Sequence, residues 1–396
     1  MDAQDNVVIV SAVRTPIGRF LKSLSPLHVT DLGGVAIRAA IERAGIPSDL
    51  VDEVIMGNVV QAGAGMAPAR NAALKGGLPP QVGAVTINKV CGSGLKAVML
   101  AAGLIRAGDG DVYVAGGMES MSRGPYLLPA ARVGYRMGNA EIVDATVHDG
   151  LWSAWENVHM GMAAEWIADR FGVTREAQDR LSYESHVRAV HAIGEGRFRD
   201  EIVPVTVPQR KGPAVDVDTD ECPRPDTSLA KLAALRPAFK EGGSVTAGNA
   251  PPLSDGAAAL VIMRESKAKA MGVRPLARVL GYAQAAVEPI ALFTAPIYAI
   301  RRLWQKLGAD KDDFDLYEIN EAFAAQMVAD MRELGLDYDK VNVNGGAIAL
   351  GHPIGASGAR ILVTLLHALK QRNLERGIAA LCLGEGEAVG MAVEML

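Results

Sequence analysis

Apolar runs of strand length alternate along the chain with stretches that have helical spacing. Residues 7–12 and 52–56 are strand-like, whereas 32–44 and 67–75 repeat apolar residues at helical spacing and stop at glycine-containing turns. The strand-like runs are continuously apolar, which is typical of sheets covered by helices on both faces. The pattern therefore predicts an α/β fold with largely parallel or mixed sheets.

The last third of the chain repeats the element order of the first. Four pairs of segments match in sequence order: 51–58 with 314–320, Asn88 and 92–105 with Asn344 and 355–369, 111–116 with 378–384, and 257–263 with 388–393. Each match is weak by itself, but four matches in one order indicate an internal duplication. We therefore expect two similar α/β halves.

One half carries a long insertion. Four residues, 384–387, join the last two predicted strands, whereas about 119–253 lies between the corresponding strands of the first half. The insertion is rich in proline, glycine and charge, and helices are predicted at 163–171 and 176–194. We expect it to form a third subdomain over the mouth of the core. The predicted division is 1–121 plus 254–274 for the first half, 122–253 for the insertion, and 275–396 for the second half.

Cys91 lies in a sharp turn between a predicted strand and a predicted helix. Gly92-Ser93-Gly94 follows it, and an apolar run then covers 95–105. Unpaired N–H groups and the positive end of the helix dipole favour a thiolate at such a position. The flanking glycines leave room for a substrate carbonyl. Cys91 is therefore a candidate nucleophile, with a small buried hydrophobe as the alternative interpretation.

The second half offers three more candidates. His352 lies in the glycine-rich loop 344–355, at the position symmetric with the Cys91 turn, and Cys382 ends a predicted strand. Each alone is compatible with a core role, but pseudo-equivalent halves would bring all three groups to a shared face. A base-activated thiolate could there attack an acyl carbonyl while the second thiol exchanges a proton. Asn320 could hold a water or donate to an oxyanion.

Composition and charge exclude several other classes of protein. The 396 residues are 49% hydrophobic, and a net charge of -5 gives no reason to expect nucleic acid or an anionic membrane surface as partner. Three widely spaced cysteines form neither a disulfide framework nor a zinc motif. No secretion signal, presequence or peroxisomal signal is recognisable, and no apolar run approaches ~20 residues. These features predict a soluble, cytoplasmic protein.

Several motifs together resemble those of the thiolase family, and most closely the biosynthetic acetyl-CoA acetyltransferases. The catalytic segments occur in the family's order: NKVCGSGLKAV at 88–98, NEAFAAQ at 320–326, NVNGGAIALGHPIGASGAR at 342–360, and Cys382-Leu383-Gly384. Further similar stretches are AVRTPIGRF at 12–20, AGGMESMS at 115–122 and LRPAFKEGGSVTAGNA at 235–250. The resemblance therefore covers the whole chain and implies a duplicated five-layer α-β-α-β-α core with an inserted loop domain.

The resemblance also implies residue roles. Cys91 would be the nucleophile that becomes S-acylated, and His352 the base that activates it. His352 and a water held by Asn320 would form one oxyanion hole, and the backbone N–H groups of Cys91 and Gly384 the other. Cys382 would remove the α-proton of the second acyl-CoA. The implied reaction is the reversible condensation of two acetyl-CoA to acetoacetyl-CoA and free coenzyme A.

The insertion resembles the loop domain in which thiolases hold coenzyme A. Its implied contact residues, together with an apolar residue from the second half, are Leu151, His159, Met160, Arg224, Phe239, Ala247 and Phe323. Arg224 suits the adenine-nucleotide end as a flat cation, and the apolar side chains suit the pantetheine arm. Coenzyme A thioesters are implied as substrates, with no metal or redox cofactor. The implied assembly is a homotetramer, a dimer of dimers.

The chain departs from the family pattern at three places. Glu385 and Glu387 follow Gly384 where relatives have successive glycines, and a negative charge close to Cys382 would raise the pKa of that thiol. The loop 248–252 has prolines where many relatives place a serine that binds pantetheine. Leu292-Phe293 replaces a methionine–glycine pair beside the acyl pocket, so the preferred acyl length stays open.

Two alternatives to acetyl-CoA condensation remain. One is a degradative 3-ketoacyl-CoA thiolase that acts on longer chains. The other is a thiolase-like protein that binds acyl-CoA but condenses nothing because Glu385 and Glu387 disable Cys382. A decarboxylating ketoacyl synthase is disfavoured, because those relatives place a second histidine where this chain has Cys382.

Overall fold

The computed structural model describes residues 6–396. Part of the amino-terminal stretch in which no targeting signal is recognisable, residues 1–5, lies outside this range. The strands are β1 (Val7–Arg14), β2 (Gly18–Arg19), β3 (Glu53–Gly57), β4 (Gly83–Ile87), β5 (Val112–Ser120), β6 (Tyr126–Leu127), β7 (Val143–Asp144), β8 (Trp152–Ser153), β9 (Val158–His159), β10 (Val205–Val207), β11 (Val215–Val217), β12 (Ser254–Arg264), β13 (Ala277–Ala286), β14 (Leu316–Ile319), β15 (Arg376–Leu383) and β16 (Glu387–Met395). The helices are α1 (Val29–Ala44), α2 (Pro68–Lys75), α3 (Ser93–Ala107), α4 (Ala145–Gly150), α5 (Met160–Phe171), α6 (Arg175–Gly194), α7 (Leu229–Ala233), α8 (Glu265–Ala270), α9 (Ala295–Leu307), α10 (Ala324–Leu334), α11 (Ala347–Leu350) and α12 (Ile354–Arg372).

The main sheet consists of two half-sheets whose strand orders correspond, except that β4 of the first half has no counterpart among the described residues of the second. The first runs β4-β3-β5-β12-β1 and the second runs β14-β15-β16-β13, and the two meet where β1 pairs with β13. In the first half β4, β3 and β5 are parallel to one another, and in the second half β14 and β15 are parallel. The remaining strands of each half pair antiparallel with their neighbours in the sheet. The predicted mixed α/β fold and its internal duplication are confirmed.

Helices fill the space between the half-sheets and cover their outer faces. In the centre, α3 and α12 pack against each other and against strands of both halves. The outer layers are α1 with α2 on the first half and α9 with α10 on the second. Residues 354–369 of α12 are buried all round, as expected for a helix enclosed by a protein core. The layers therefore run α-β-α-β-α.

One helical segment, Val90–Ala107, is long and apolar enough, by length and composition, to cross a membrane. It is not a continuous apolar run, since Lys96 and Arg106 lie within it, and for this reason it was not expected from the sequence. The segment contains α3, which lies in the central layer between the two half-sheets. Burial in the core is sufficient to explain why it is apolar.

The insertion forms helices and short hairpins against the core. The helices predicted at 163–171 and 176–194 are present as α5 and α6, each beginning one to three residues earlier. Both pack on α10 of the second half, and the hairpin of β8 and β9 precedes α5. Buried Glu165 accepts the backbone N–H groups of Ser244 and Val245 and so ties α5 to the end of the insertion. The boundaries proposed for the three parts stay a prediction.

Candidate active site

A cavity of about 680 Å³ lies between the two halves and the insertion. Cys91, His352, Cys382 and Gly384 line it from the core. The candidate coenzyme A contacts line it as well: Leu151, His159, Met160, Arg224, Phe239, Ala247 and Phe323. Asn320 is the exception, since it is buried directly behind His352. Side chains from distant parts of the sequence thus meet in one space.

Packing of glycines brings the two cysteine loops together. A Cβ on Gly92 would collide with a methyl carbon of Leu383, and one on Gly384 would lie 3.2 Å from Val90. The Cys91 loop is held by Ser93, whose Oγ accepts the Lys89 N–H at 2.8 Å and donates to the Val90 carbonyl at 2.7 Å. The residues flanking Cys91 therefore contact those that follow Cys382.

Backbone donors and burial act in opposite directions on the pKa of the Cys91 thiol. The backbone N–H groups of Gly384 and of Cys91 itself donate to the sulfur and favour the thiolate. Burial acts in the opposite direction and is the larger effect, so the pKa of Cys91 is raised to about 12. Backbone N–H groups therefore favour the thiolate as expected from the sequence, but desolvation outweighs them. The thiol therefore needs a base.

His352 presents an unprotonated nitrogen for that purpose. Its Nδ1 lies 2.6 Å from Ser357 Oγ, and this hydroxyl donates to the Pro353 carbonyl at 2.9 Å. Because the hydroxyl proton is used there, Nδ1–H is the donor to Ser357 and Nε2 carries the lone pair. Burial, aided by the positive charge of Arg360, lowers the pKa of His352 to about 3. The ring is thus a neutral base.

Asn320 is oriented by a buried ion pair. Its Nδ2 lies 3.5 Å from His352 Nε2, while its Oδ1 accepts from Arg360 at 3.4 Å. Arg360 also donates to Glu318 at 3.0 Å, and both side chains are almost completely buried. Because a guanidinium can only donate, it holds the amide oxygen and turns the amide nitrogen toward the histidine.

Cys382 ends β15 and is fully enclosed. Burial raises the pKa of its thiol well above the ordinary value, with further contributions from Cys91 and from the buried Asp330. Like Cys91, it is therefore a neutral thiol before substrate binds. Cys382 must therefore lose its proton and become a thiolate before it can act as a base.

The two glutamates after Gly384 are directed away from Cys382. Glu385 accepts hydrogen bonds from Ser153 Oγ and from the Ala154 N–H, both at 2.9 Å. Glu387 forms an ion pair with Lys89, with N–O distances of 2.6 and 2.7 Å. Neither contributes to the shifted pKa of Cys382. The sequence left open whether these carboxylates act on Cys382, and their partners Ser153 and Lys89 decide that they do not. The reason for considering a non-condensing protein is thereby removed.

A row of aromatic rings forms one wall of the cavity. His159 stacks on Phe239 with ring centres 4.8 Å apart, and Phe323 makes edge contacts with Phe239 at 6.2 Å and with Phe293 at 5.3 Å. Pro251 also lines the cavity, and a proline supplies neither a hydroxyl nor an N–H there. The middle of the cavity is therefore apolar.

Cations lie at the outer end of the cavity. Arg19, Lys22 and Arg224 all line it and are exposed. Arg224 was a candidate from the sequence, whereas Arg19 and Lys22 were not. These three side chains provide positive charge for an anionic group at the entrance.

Two further residues that support the site escaped the sequence analysis. Ser254 Oγ accepts the His352 backbone N–H at 3.2 Å. Buried Glu119 accepts the backbone N–H groups of Val59 and Gly355 and thereby joins the start of α12 to the first half. An acidic residue at the end of an apolar strand could have been recognised as unusual, but the serine carries no comparable signal.

Together, the duplicated fold and this site define an α/β protein with a thiol–imidazole centre between two related halves. Residues 7–266 match the family model described as the thiolase N-terminal domain, and residues 273–395 match the thiolase C-terminal domain. The chain belongs to the thiolase family.

Full-length relatives support this assignment. The chain is 55% identical over 392 residues to an acetyl-CoA acetyltransferase of Escherichia coli K12, covering 99% of each chain. It is 53% identical over 388 residues to an acetyl-CoA acetyltransferase of Pseudomonas aeruginosa, covering 98% of this chain and 99% of the relative. The crystal structure of the Bacillus anthracis acetyl-CoA acetyltransferase matches with a TM-score of 0.98 at 46% identity, over 100% of both chains.

Proposed function

We infer that this chain is an acyltransferase, an acetyl-CoA C-acetyltransferase that reversibly condenses two acetyl-CoA to acetoacetyl-CoA and free coenzyme A. The convergence of Cys91, His352 and Cys382 on one cavity carries this inference. Relatives named acetyl-CoA acetyltransferase that align over nearly the whole chain support it.

In the first half-reaction Cys91 becomes acetylated. His352 Nε2 takes the thiol proton while the sulfur attacks the thioester carbonyl. The N–H groups of Cys91 and Gly384, which donate to the resting sulfur, are placed to hold the oxyanion. The departing coenzyme A thiolate takes the proton of Cys382. This leaves S-acetyl-Cys91, a protonated His352 and a Cys382 thiolate.

In the second half-reaction the carbon–carbon bond forms. The Cys382 thiolate removes the α-proton of a second acetyl-CoA, and the resulting enolate attacks the acetyl carbonyl on Cys91. The protonated His352 and a water on Asn320 would stabilise the enolate oxygen. When the tetrahedral intermediate collapses, Cys91 leaves and recovers its proton from His352. Cys91, His352 and Cys382 have then regained their starting protonation states. The α-proton of acetyl-CoA now lies on Cys382, and the proton that Cys382 held at the start leaves with free coenzyme A.

Coenzyme A would extend from the thiols to the entrance of the cavity. The aromatic row and Met160 suit the pantetheine arm, and Arg19, Lys22 and Arg224 suit the phosphates and adenine. The thioesters enter this account as substrates, and no resident cofactor is proposed. Leu151, Ala247 and the other lining residues are proposed to contact coenzyme A in the same way.

The acyl length is the part of this function that needs a direct test. Leu292 and Phe293 line the cavity, and the bulky Phe293 favours a short acyl group over the longer chains of a degradative thiolase. Thiolysis rates with acetoacetyl-CoA and a longer 3-ketoacyl-CoA should be compared, alongside Cys91→Ala and Cys382→Ala. We expect a preference for acetoacetyl-CoA and loss of turnover in both variants. A preference for the longer chain would establish the degradative alternative.

Three further properties are proposed on the same basis. The first is the division of the chain into two halves, 1–121 plus 254–274 and 275–396, and an inserted domain, 122–253. The second is a homotetramer built as a dimer of dimers. The third is a cytoplasmic location. Light scattering coupled to gel filtration tests the oligomer directly, since a monomer mass in solution would contradict it.

A further inference from the structure

Glu385 occupies a backbone conformation that favours glycine. Its φ of 63° lies in the left-handed region, and the next residue, Gly386, has a φ of 90°. A side chain carries a steric cost there that glycine avoids. A glutamate in this position therefore requires compensating contacts, and its carboxylate makes two.

Both contacts go to the hairpin of β8 and β9, hereafter the Trp152–His159 hairpin. One carboxylate oxygen of Glu385 accepts from the buried Ser153 hydroxyl, and the other accepts from the Ala154 N–H. The Ser153 oxygen is fixed in turn, because it accepts the Glu156 N–H at 3.0 Å. The carboxylate thus bridges two segments that are 231 residues apart.

Each bridged segment contributes to the cavity. On one side, the residue before Glu385 is Gly384, whose N–H donates to the Cys91 sulfur. On the other side, the hairpin ends in His159 and is followed by Met160, and both line the cavity wall. The Met160 N–H also donates to the Leu151 carbonyl at 2.8 Å, which closes the base of the hairpin.

We propose that Glu385 is a positioning residue that fastens the Gly384 loop to the Trp152–His159 hairpin and so holds the Gly384 N–H against Cys91. Its contribution to the oxyanion hole rests on the proposed function. The link itself does not, because it concerns contacts present without substrate. Loss of the link would let the Gly384 N–H drift from its position, and displacements of about 1 Å near the reacting atoms reduce rates strongly.

Two substitutions separate the hydrogen bonds from the charge. Glu385→Ala removes both contacts. Glu385→Gln keeps them, since the amide oxygen can accept the Ala154 N–H while the amide nitrogen donates to Ser153 Oγ. Glu156→Ala is the matched control, because it removes a carboxylate from the same hairpin without touching the link. Ser153→Ala removes one of the two contacts.

Amide hydrogen exchange and thiol alkylation test the link without turnover. In Glu385→Ala the Ala154 amide should exchange faster, and iodoacetamide should alkylate Cys91 more slowly at a given pH because the Gly384 N–H no longer supports the thiolate. Glu385→Gln and Glu156→Ala should match the parent protein. Unchanged exchange at Ala154 in Glu385→Ala would overturn the proposal.

Kinetics test the consequence for catalysis. With acetoacetyl-CoA, kcat should fall about tenfold in Glu385→Ala, by less in Ser153→Ala, and by less than about twofold in Glu385→Gln. A fall in kcat with little change in KM marks misplacement of the N–H rather than loss of binding. An unchanged kcat in Glu385→Ala, or an equally low one in Glu385→Gln, would contradict the positioning role. If the parent protein turned over no acyl-CoA, the proposed function would be wrong. Amide hydrogen exchange at Ala154 would still show whether Glu385 links the two segments.

Discussion

Ser357 Oγ lies 2.6 Å from His352 Nδ1 and determines which ring nitrogen carries the proton. The hydroxyl proton is used by the Pro353 carbonyl, so the serine can only accept from the imidazole. The nitrogen that faces Asn320 and the thiol cavity is therefore the basic one. Ser357, which takes no part in bond making or breaking, therefore sets the tautomer of the base His352.

Replacing this serine tests that relationship. In Ser357→Ala both tautomers of His352 become accessible, and we expect the rate of Cys91 acylation to fall about tenfold to a hundredfold. Acyl-enzyme formation in a rapid-quench experiment measures it. Ser182→Ala is the matched control, because Ser182 is also a buried helical serine that donates to the carbonyl four residues earlier, at 2.8 Å. Equal effects of both substitutions on acylation would contradict the assignment.

The protonation states predict how the reactivity of Cys91 depends on pH. The pKa of Cys91 is raised to about 12 and that of His352 is lowered to about 3, so neither group is charged near neutral pH. Raising the pH increases the thiolate fraction, and the alkylation rate of Cys91 should therefore climb throughout the alkaline range up to about pH 12. Peptide mass spectrometry after iodoacetamide treatment follows this residue separately from Cys382.

A different profile would reveal a different resting state. A thiolate–imidazolium pair between Cys91 and His352 would give a plateau in the alkylation rate at neutral pH. His352→Asn supplies the control, because it should leave the alkaline rise in place if the imidazole is neutral throughout. A plateau that disappears in His352→Asn would contradict the neutral pair.

The ion pair of Arg360 and Glu318 should matter for stability as well as for the orientation of Asn320. Both side chains are about 2% exposed. Arg360→Met leaves a buried carboxylate without its partner, and we expect the free energy of unfolding to fall by about 3–5 kcal/mol. The double variant Arg360→Met with Glu318→Leu should recover most of this loss. Urea unfolding measures the free energy of unfolding of each variant. A double variant no more stable than Arg360→Met would show that the loss does not come from leaving Glu318 unpaired.

Phe293 should limit the length of the acyl chain. Its ring is buried, lines the cavity and contacts Phe323 at 5.3 Å, so Phe293→Ala opens space beside the acyl group. We expect the ratio of kcat/KM for a longer 3-ketoacyl-CoA over acetoacetyl-CoA to rise, with a loss of about 3–5 kcal/mol in stability. Phe314→Ala is the control, since Phe314 is equally buried but lies away from the cavity. An unchanged ratio in Phe293→Ala would show that Phe293 does not determine the preferred acyl length.

Local patterns were sufficient to predict most of the fold. The echo of 51–58 in 314–320 corresponds to β3 and β14, and that of 257–263 in 388–393 corresponds to β12 and β16. These predictions succeeded because continuous apolar runs and glycine stops are properties of the sequence itself. The short pairing of β1 with β13 that joins the two half-sheets had no such local signal.

The parts that could not be predicted depend on burial and on side-chain direction. A helix start next to Cys91 is visible in the sequence, but the desolvation that reverses its effect on the thiol pKa is not. Likewise, the sequence places Glu385 and Glu387 near Cys382, whereas their partners Ser153 and Lys89 become neighbours only in the folded chain. The net electrostatics of both thiols are therefore decided by burial and long-range contacts, which the sequence does not show.

The division of labour between the two cysteines is the central claim, and a single-turnover experiment with Cys382→Ala and acetyl-CoA tests it most directly. Cys91 should still become S-acetylated in this variant, and acetoacetyl-CoA should not form, because no thiolate is available to remove the α-proton. Cys91→Ala, run in parallel, should show neither product. Formation of acetoacetyl-CoA by Cys382→Ala at the rate of the parent protein would contradict the account.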